Sequence, residues 1–303
     1  MSESTPAIVI SHLAYAYGRA EAVHDFSLTV PRGKCYGLFG RNGAGKTTTM
    51  KCLLNLLRPN ADQLNVLGLD PIRQEVEVKR RLAYVPDQVA FYPWMTIRET
   101  LDYLASFRSH WNRKIERSLL ERFRLDPAHR TSGLSKGQRT QVALIAAICP
   151  EPELLLLDEP TSGLDPIVRR EFIETVIGAY QESAPEERTI FVSTHMIAEF
   201  EGLIDEFTIM DQGRNVMTLG ADEARERYRK IRARFPEPPA NVQNVQLEGA
   251  LRIRTTGREI EVIANGNGER ICEELHRLAP EALTSEALSL EEIFVEALKQ
   301  EAP

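Results

Sequence analysis

Gly40-Arg41-Asn42-Gly43-Ala44-Gly45-Lys46-Thr47, followed by Thr48, fits the pattern G-x-x-x-x-G-K-[ST] at each fixed position. The spacing has a chemical purpose. Glycines let backbone N–H groups turn toward a polyphosphate without side-chain obstruction, and the adjoining helix start adds positive partial charge. Lys46 supplies a point charge for the β and γ phosphates, while the Thr47 hydroxyl is a ligand for Mg²⁺.

Downstream, the apolar run Leu154 to Leu157 ends in Asp158 and Glu159. That puts two carboxylates at the carboxyl end of a buried strand, the edge where α/β proteins bind ligands. Carboxylates there are costly unless a cation or a donor pairs with them. With the phosphate loop upstream, Asp158 takes the position of a Mg²⁺-associated aspartate, and Glu159 that of a group polarising an attacking water. No asparagine in the chain is followed by lysine, so a guanine-reading Asn-Lys-x-Asp run is missing and ATP is the expected nucleotide. Leu134-Ser135-Lys136-Gly137-Gln138 precedes an apolar helix and forms a second potential anion site, from Ser135 and the first free N–H groups of that helix. One ATP does not need two such sites in one chain.

Periodicity supplies the elements that must hold these residues. Short strands are predicted at Ile8 to Ile10, around Phe26 to Val30 and at Cys35 to Phe39, with a helix from Lys46 to about Leu57. A largely helical stretch runs from about Thr96 to Phe123, and a helical subdomain is expected over about 90–150. Leu154 to Leu157 and Thr189 to Val192 flank a helix from Pro166 to about Gln181, the pattern of a parallel sheet buried on both faces. Residues 1–220 read as α/β. Ala224, Tyr228, Ile231 and Phe235 then recur at helical spacing among Arg225, Arg227, Arg229, Lys230, Arg232 and Arg234. Residues 221–240 are therefore expected to form a basic amphipathic helix, stopped by Pro236-Glu237-Pro238-Pro239 and facing solvent, anionic lipid or an acidic partner. Alternating segments near Val242 to Leu247, Leu251 to Thr255 and Glu259 to Ile263, then helices over Ile271 to Leu278 and Leu290 to Lys299, predict a small α+β domain over 241–303.

Composition narrows the classes. The chain has 303 residues, 43% hydrophobic and 27% charged, enough for one large or two ordinary domains and unlike a disordered or disulfide-stapled chain. Its longest wholly apolar run, Val142 to Cys149, is far short of the roughly 20 residues of a membrane-spanning helix. The N-terminus lacks the basic patch and apolar core of a secretory signal, and a cytoplasmic location is expected. Cys35, Cys52, Cys149 and Cys272 show no metal-ligand or redox-pair spacing and read as buried thiols. A formal net charge of −7 argues against a nucleic-acid partner.

Five motifs, Gly40 to Thr47, Leu134 to Gln138, Leu154 to Glu159, Ser162-Gly163-Leu164-Asp165 and Ser193-Thr194-His195, occur in an order that resembles the ATPase subunits of ABC transporters, over roughly residues 7–220. The resemblance implies a P-loop NTPase of ABC type with a helical subdomain, α/β in class, plus the small C-terminal α+β accessory domain. It implies ATP and Mg²⁺ as cofactors, with Gly40 to Thr48 around the phosphates and Thr47 and Asp158 on the metal. Glu159 becomes the catalytic base, His195 the switch histidine at the γ phosphate, Asp165 a dimer contact, and Tyr17 the aromatic stacked on adenine, with Tyr15 as the alternative. Ser135, Gly137 and Gln138 would close over ATP held on a second ATPase subunit, a homodimer mate or close paralogue, so two phosphate sites per chain become halves of two composite sites.

Two positions depart from the family pattern. Lys136 stands where many members have glycine, and Tyr84-Val-Pro-Asp87-Gln88 puts Asp87 at the position of a glutamine that reaches Mg²⁺ and the attacking water. An aspartate is shorter than glutamine and cannot donate when ionised, so either Asp87 acts through a water or Gln88 takes the role. The family's remaining partner is a transmembrane permease subunit, which would hold this chain at the inner face of the cell membrane. Phe91, Tyr92, Pro93, Trp94 and Met95 are too many large groups in succession for an ordinary exposed loop and are expected to line its docking groove. The form of Leu134 to Gln138 and the last helix, Leu288 to Leu298, resemble exporter ATPases; an importer ATPase or a soluble ABC-type ATPase acting on ribosomes or DNA are the alternatives.

Overall fold

The computed structural model describes residues 5–181, 188–238 and 247–300. The chain divides into two compact units, Met1–Thr218 and Leu219–Pro303.

The first unit opens with β1 (Ile8–Tyr17), β2 (Ala20–Val30), β3 (Cys35–Phe39), α1 (Lys46–Leu53), β4 (Gln63–Val66), α2 (Glu75–Arg81) and β5 (Leu82–Val85). It continues with α3 (Ile97–Ala105), α4 (Arg113–Arg122), α5 (Lys136–Ile148), β6 (Leu154–Asp158), α6 (Pro166–Gln181), β7 (Thr189–Thr194), α7 (Ile197–Phe200), β8 (Glu206–Asp211) and β9 (Arg214–Gly220). Strands β2, β1 and β4 form an antiparallel sheet in that order, and a six-stranded sheet runs β5-β6-β7-β3-β8-β9. Its pairs from β5 to β8 are parallel, and every residue of β3, β6 and β7 is buried. Continuous apolar runs of this kind suit strands covered on both faces.

That strand order assembles the site. Phe39 pairs with Thr194 and Asp158 with Ser193. The phosphate loop after β3, the acidic pair at the end of β6 and His195 after β7 therefore leave one sheet edge side by side, although the sequence separates them widely.

Boundaries differ from the periodicity reading for local reasons. α1 stops at Leu53, and Asn55 lies just beyond with a positive φ of 55°, a left-handed conformation that asparagine tolerates and that ends helices. The helical stretch from Thr96 to Phe123 is two helices. Thr96 and Glu99 form a capping box at the start of α3, and the Asn112 side chain accepts the N–H groups of Lys114 and Ile115 at the start of α4. Glu116, fully buried, accepts Trp111 Nε1 at 2.6 Å and pairs with Arg98 and Arg113, fastening α4 to α3.

The second unit contains α8 (Ala221–Arg227), β10 (Tyr228–Arg234), β11 (Ala250–Thr256), β12 (Glu259–Asn265), α9 (Gly268–His276), β13 (Ala282–Ala287) and α10 (Leu290–Gln300). Its antiparallel sheet runs β11-β12-β10-β13. The expected basic helix over 221–240 is corrected here: of its described residues, 221–238, only 221–227 are helical, and 228–234 form a central strand. Ile231, Ala233 and Phe235 are buried at every second position, and this period of two wins over the helical spacing read from Ala224, Tyr228 and Ile231. Arg232 meets Glu261 at 3.0 Å and Glu286 at 3.2 Å, and Lys230 pairs with Glu292. Carboxylates of the same unit thus engage part of the basic stripe. The expected segment at 242–246 and Pro239 lie outside the described residues.

Candidate functional site

The phosphate loop owes its shape to glycine. Gly43 and Gly45 have φ of 85° and 107°, and a Cβ on Gly45 would sit 2.6 Å from the Ala22 carbonyl oxygen. A side chain there is excluded by both sterics and backbone. Lys46, 5% exposed, donates from Nζ to the carbonyls of Gly40 at 2.7 Å and Arg41 at 3.2 Å, and pairs with Glu159 Oε1 at 2.9 Å.

Thr47 Oγ1 donates to Asp158 Oδ1 at 3.0 Å. The same carboxylate accepts Ser193 Oγ at 2.6 Å and Tyr84 OH at 3.2 Å. Burial raises the Asp158 carboxyl above the ordinary aspartate range, partly opposed by the three hydroxyl hydrogen bonds. A buried, hydroxyl-ringed carboxylate whose charged form is penalised is suited to a positive ligand, and hydroxyl and carboxylate oxygens are the hard donors that Mg²⁺ prefers. Glu159 extends the cluster, with its Oε2 2.7 Å from His195 Nδ1. Its backbone φ of 46° and the N–H bond to the Ser193 carbonyl at 2.9 Å turn it away from the strand direction. Five residues, Lys46, Thr47, Asp158, Glu159 and His195, form one connected cluster.

The other predicted residues stand apart from it. Ser135 caps α5 through a capping box with Gln138, and a Cβ on Gly137 would lie 3.2 Å from Val168. Lys136 Nζ lies 3.8 Å from Asp87 Oδ1, so Asp87 faces the Ser135–Gln138 turn; no hydrogen bond or ion pair joins it to Thr47 or Asp158 among the described residues. Gln88 is exposed. Asp165 Oδ1 accepts the N–H groups of Ile167 and Val168, both at 3.1 Å, as the cap of α6. Tyr17 is 49% exposed at the end of β1, edge-on to Tyr15 at 5.0 Å. The pairing of Tyr84 and Ser193 with Asp158 is absent from the sequence reading. Both lie inside motifs that the sequence marks out, yet only the fold brings their hydroxyls to the carboxylate.

A cavity of about 700 Å³ opens between α2 and the helical region, lined among others by Tyr84, Pro86, Phe91, Leu104, Phe107 and Trp111. Beside it Trp94 stacks on Tyr92 at 5.0 Å, Tyr92 meets Tyr103 edge-on, and Tyr103 meets Phe107. Trp94 is 63% and Phe107 67% exposed, an apolar row of unusual extent for a free surface.

Residues 23–162 match the family described as ABC transporter. The chain is similar to the bacitracin transport ATP-binding protein BcrA of Bacillus licheniformis, 34% identical over 229 residues that cover 74% of this chain and 72% of that protein. It is also similar to the Nod factor export ATP-binding protein I of Rhizobium etli, 34% identical over 215 residues, 69% of this chain and 67% of that one. Among solved structures, an ATP-binding subunit of an ABC transporter superposes with a TM-score of 0.65 at 28% identity, covering 73% of this chain and 92% of that one.

Proposed function

The chain belongs to the ABC transporter family as an ATP-binding, ATP-hydrolysing subunit, and on that premise we propose that two copies, or one copy and a close paralogue, clasp Mg-ATP between them and power export through a separate transmembrane permease. The observation that carries this reading is the cluster of Lys46, Thr47, Asp158, Glu159 and His195 at one sheet edge. Lys46 turns from Glu159 to the β and γ phosphates when nucleotide enters. Thr47 and Asp158 would hold Mg²⁺, which would supply positive charge to the phosphate. Released from Lys46, Glu159 orients a water toward the γ phosphorus and takes up its proton, and His195 holds Glu159 on one side and reaches the γ phosphate on the other. Gly40, Arg41, Asn42, Gly43, Ala44, Gly45 and Thr48 surround the phosphates, and Tyr17 stacks on the adenine. Ser135, Gly137, Gln138 and Asp165 serve the nucleotide of the other subunit, and Asp87, or Gln88 beside it, would serve the metal and the attacking water.

Export is supported by the function in one relative's name, Nod factor export, and by the Leu134-Ser-Lys-Gly-Gln form; bacitracin transport, in the other name, supports transport. Among the described residues no helix is long and apolar enough to cross a membrane. The aromatic row and the cavity beside it fit a helix of that permease, with Trp94 as an anchor. The chain then sits on the inner face of the membrane.

The test is Glu159→Gln. The variant binds ATP at least as tightly as the parent, because the anion competing for Lys46 is gone, and it accumulates as a dimer in gel filtration with ATP. Turnover falls by about 10²–10⁴-fold. Parent-level hydrolysis by this variant would remove Glu159 from the chemistry.

A further inference from the structure

The turn Ser162–Asp165 and the histidine His195 lie on different elements, and a partly buried ion pair joins those elements. Arg169 of α6 donates from Nη2 to the Leu164 carbonyl at 3.0 Å, and its backbone N–H bonds the Asp165 carbonyl at 3.0 Å. Its Nη1 pairs with Glu199 Oε1 of α7. The Glu199 side chain is 13% and that of Arg169 26% exposed. Both carboxylate oxygens of Glu199 and Arg169 Nε are buried without a hydrogen-bond partner among the described residues, so the ion pair of Oε1 with Arg169 Nη1 carries most of the compensation for the Glu199 charge. Parting the two would leave a carboxylate unpaired out of water, which is costly.

α7 holds Glu199 on a packed turn that continues to His195. Ile197 and Phe200 are each 1% exposed, Glu199 N–H bonds the Met196 carbonyl at 3.3 Å, and Met196 N–H is held by Thr194 Oγ1 at 2.9 Å. His195 sits between those held residues, with Nδ1 2.7 Å from Glu159 Oε2. An unbroken chain of contacts therefore runs from the 162–165 turn through Arg169, Glu199 and α7 to His195 and Glu159.

We propose that Arg169 and Glu199 are positioning residues that convert displacement of the Ser162–Asp165 turn into displacement of His195. This rests on the proposed roles of Asp165 in contacting the second subunit and of His195 at the γ phosphate. When the partner subunit pushes the turn, Arg169 is carried with it by two bonds and takes Glu199 along, since leaving it behind strands the charge. His195 then moves relative to Glu159, so each nucleotide site registers the closure of the other.

The test uses the purified full chain and compares Glu199→Gln, Arg169→Gln and Arg169→Lys with His195→Ala. Glu199→Gln and Arg169→Gln keep the ATP dissociation constant within about twofold while kcat falls about tenfold, a split that general loosening of the fold would not produce. Arg169→Lys keeps the charge and recovers to within about threefold of the parent. In the double variant Glu199→Gln/His195→Ala, turnover equals that of His195→Ala within about twofold, because Glu199 acts only through the histidine. Additive losses in the double variant, or parent-level kcat in Glu199→Gln, overturn the proposal. Should Glu199→Gln fail to fold, parent-level kcat in Arg169→Gln overturns it as well. Parent-level turnover in His195→Ala would instead strike the switch role of His195, the premise itself, and is read separately from the pair.

Discussion

Asp158, the proposed Mg²⁺ ligand, is held at odds with the stability of its own fold. Its carboxyl is raised by burial, which means that the ionised form, the one the proposed Mg²⁺ role calls for, is penalised. Asp158→Asn keeps the shape: the new Oδ1 can still accept Thr47 and Ser193, and the Tyr84 hydroxyl can turn from donor to acceptor for the amide. The variant is expected to melt at the same temperature or a few degrees higher without nucleotide, while ATP turnover falls by at least about 10²-fold. Thermal unfolding beside an ATPase assay reads both, and a lower melting temperature would contradict the burial argument. The role of Asp158 is legible in sequence because an apolar run ending in Asp-Glu sits downstream of a phosphate loop. The Lys46–Glu159 pair at 2.9 Å is not. Sequence marks both residues for proposed roles toward nucleotide, and no local pattern says that they pair with each other.

Elements whose signal is local are readable, and elements set by distant pairing are not. The buried strands β3, β6 and β7 announce themselves as short apolar runs, and the phosphate loop fixes the turn and helix after β3. β10 does not, since Tyr228 and Ile231 satisfy a helical period and the alternation of Ile231, Ala233 and Phe235 begins only midway; its identity as a strand is decided by β12 and β13 on either side. Glu153 is a similar long-range feature. It accepts Arg81 Nε and Nη2 at 2.5 and 2.7 Å and Arg32 Nη1 at 3.0 Å, tying the end of α2 and the approach to β3 to the start of β6. The Arg81 hydrogen bond, with Arg32 assisting against a burial penalty, lowers its carboxyl below the ordinary glutamate range. A carboxyl lowered by folding binds fewer protons in the native state, so its contribution is present above the unfolded value and is lost as the pH falls through the folded one. The group is 36% exposed, and solvent screening limits the effect to about 1 kcal/mol. Glu153→Gln should therefore lower stability to urea at pH 7 by about that amount and converge with the parent below the folded value. A gap that persists undiminished at low pH would assign the loss to packing.

On the scale of the whole chain, each unit has its own core. One centres on Ile8, Phe26, Leu38, Met50 and Phe191, the other on Ile231, Ile260, Val262, Ile271 and Leu275, and the two share no residue. The second unit's sheet places its first strand, β10, between β12 and β13, with β11 on the outer side of β12, and every pair is antiparallel. Such a sheet closes its hydrogen bonding within itself apart from two edges. Every residue assigned to nucleotide lies within Met1–Thr218, while β9 runs on to Gly220. A chain ending after Gly220 keeps all six strands of the parallel-centred sheet and should unfold in one cooperative transition. Its affinity for ATP should stay within about twofold of the full chain, a difference below about 0.4 kcal/mol. Equilibrium binding of a fluorescent ATP analogue to both chains measures this directly. If the shortened chain folds but binds tenfold more weakly, the second unit contributes to the nucleotide site, and residues 221–303 would have to be treated as part of the ATPase.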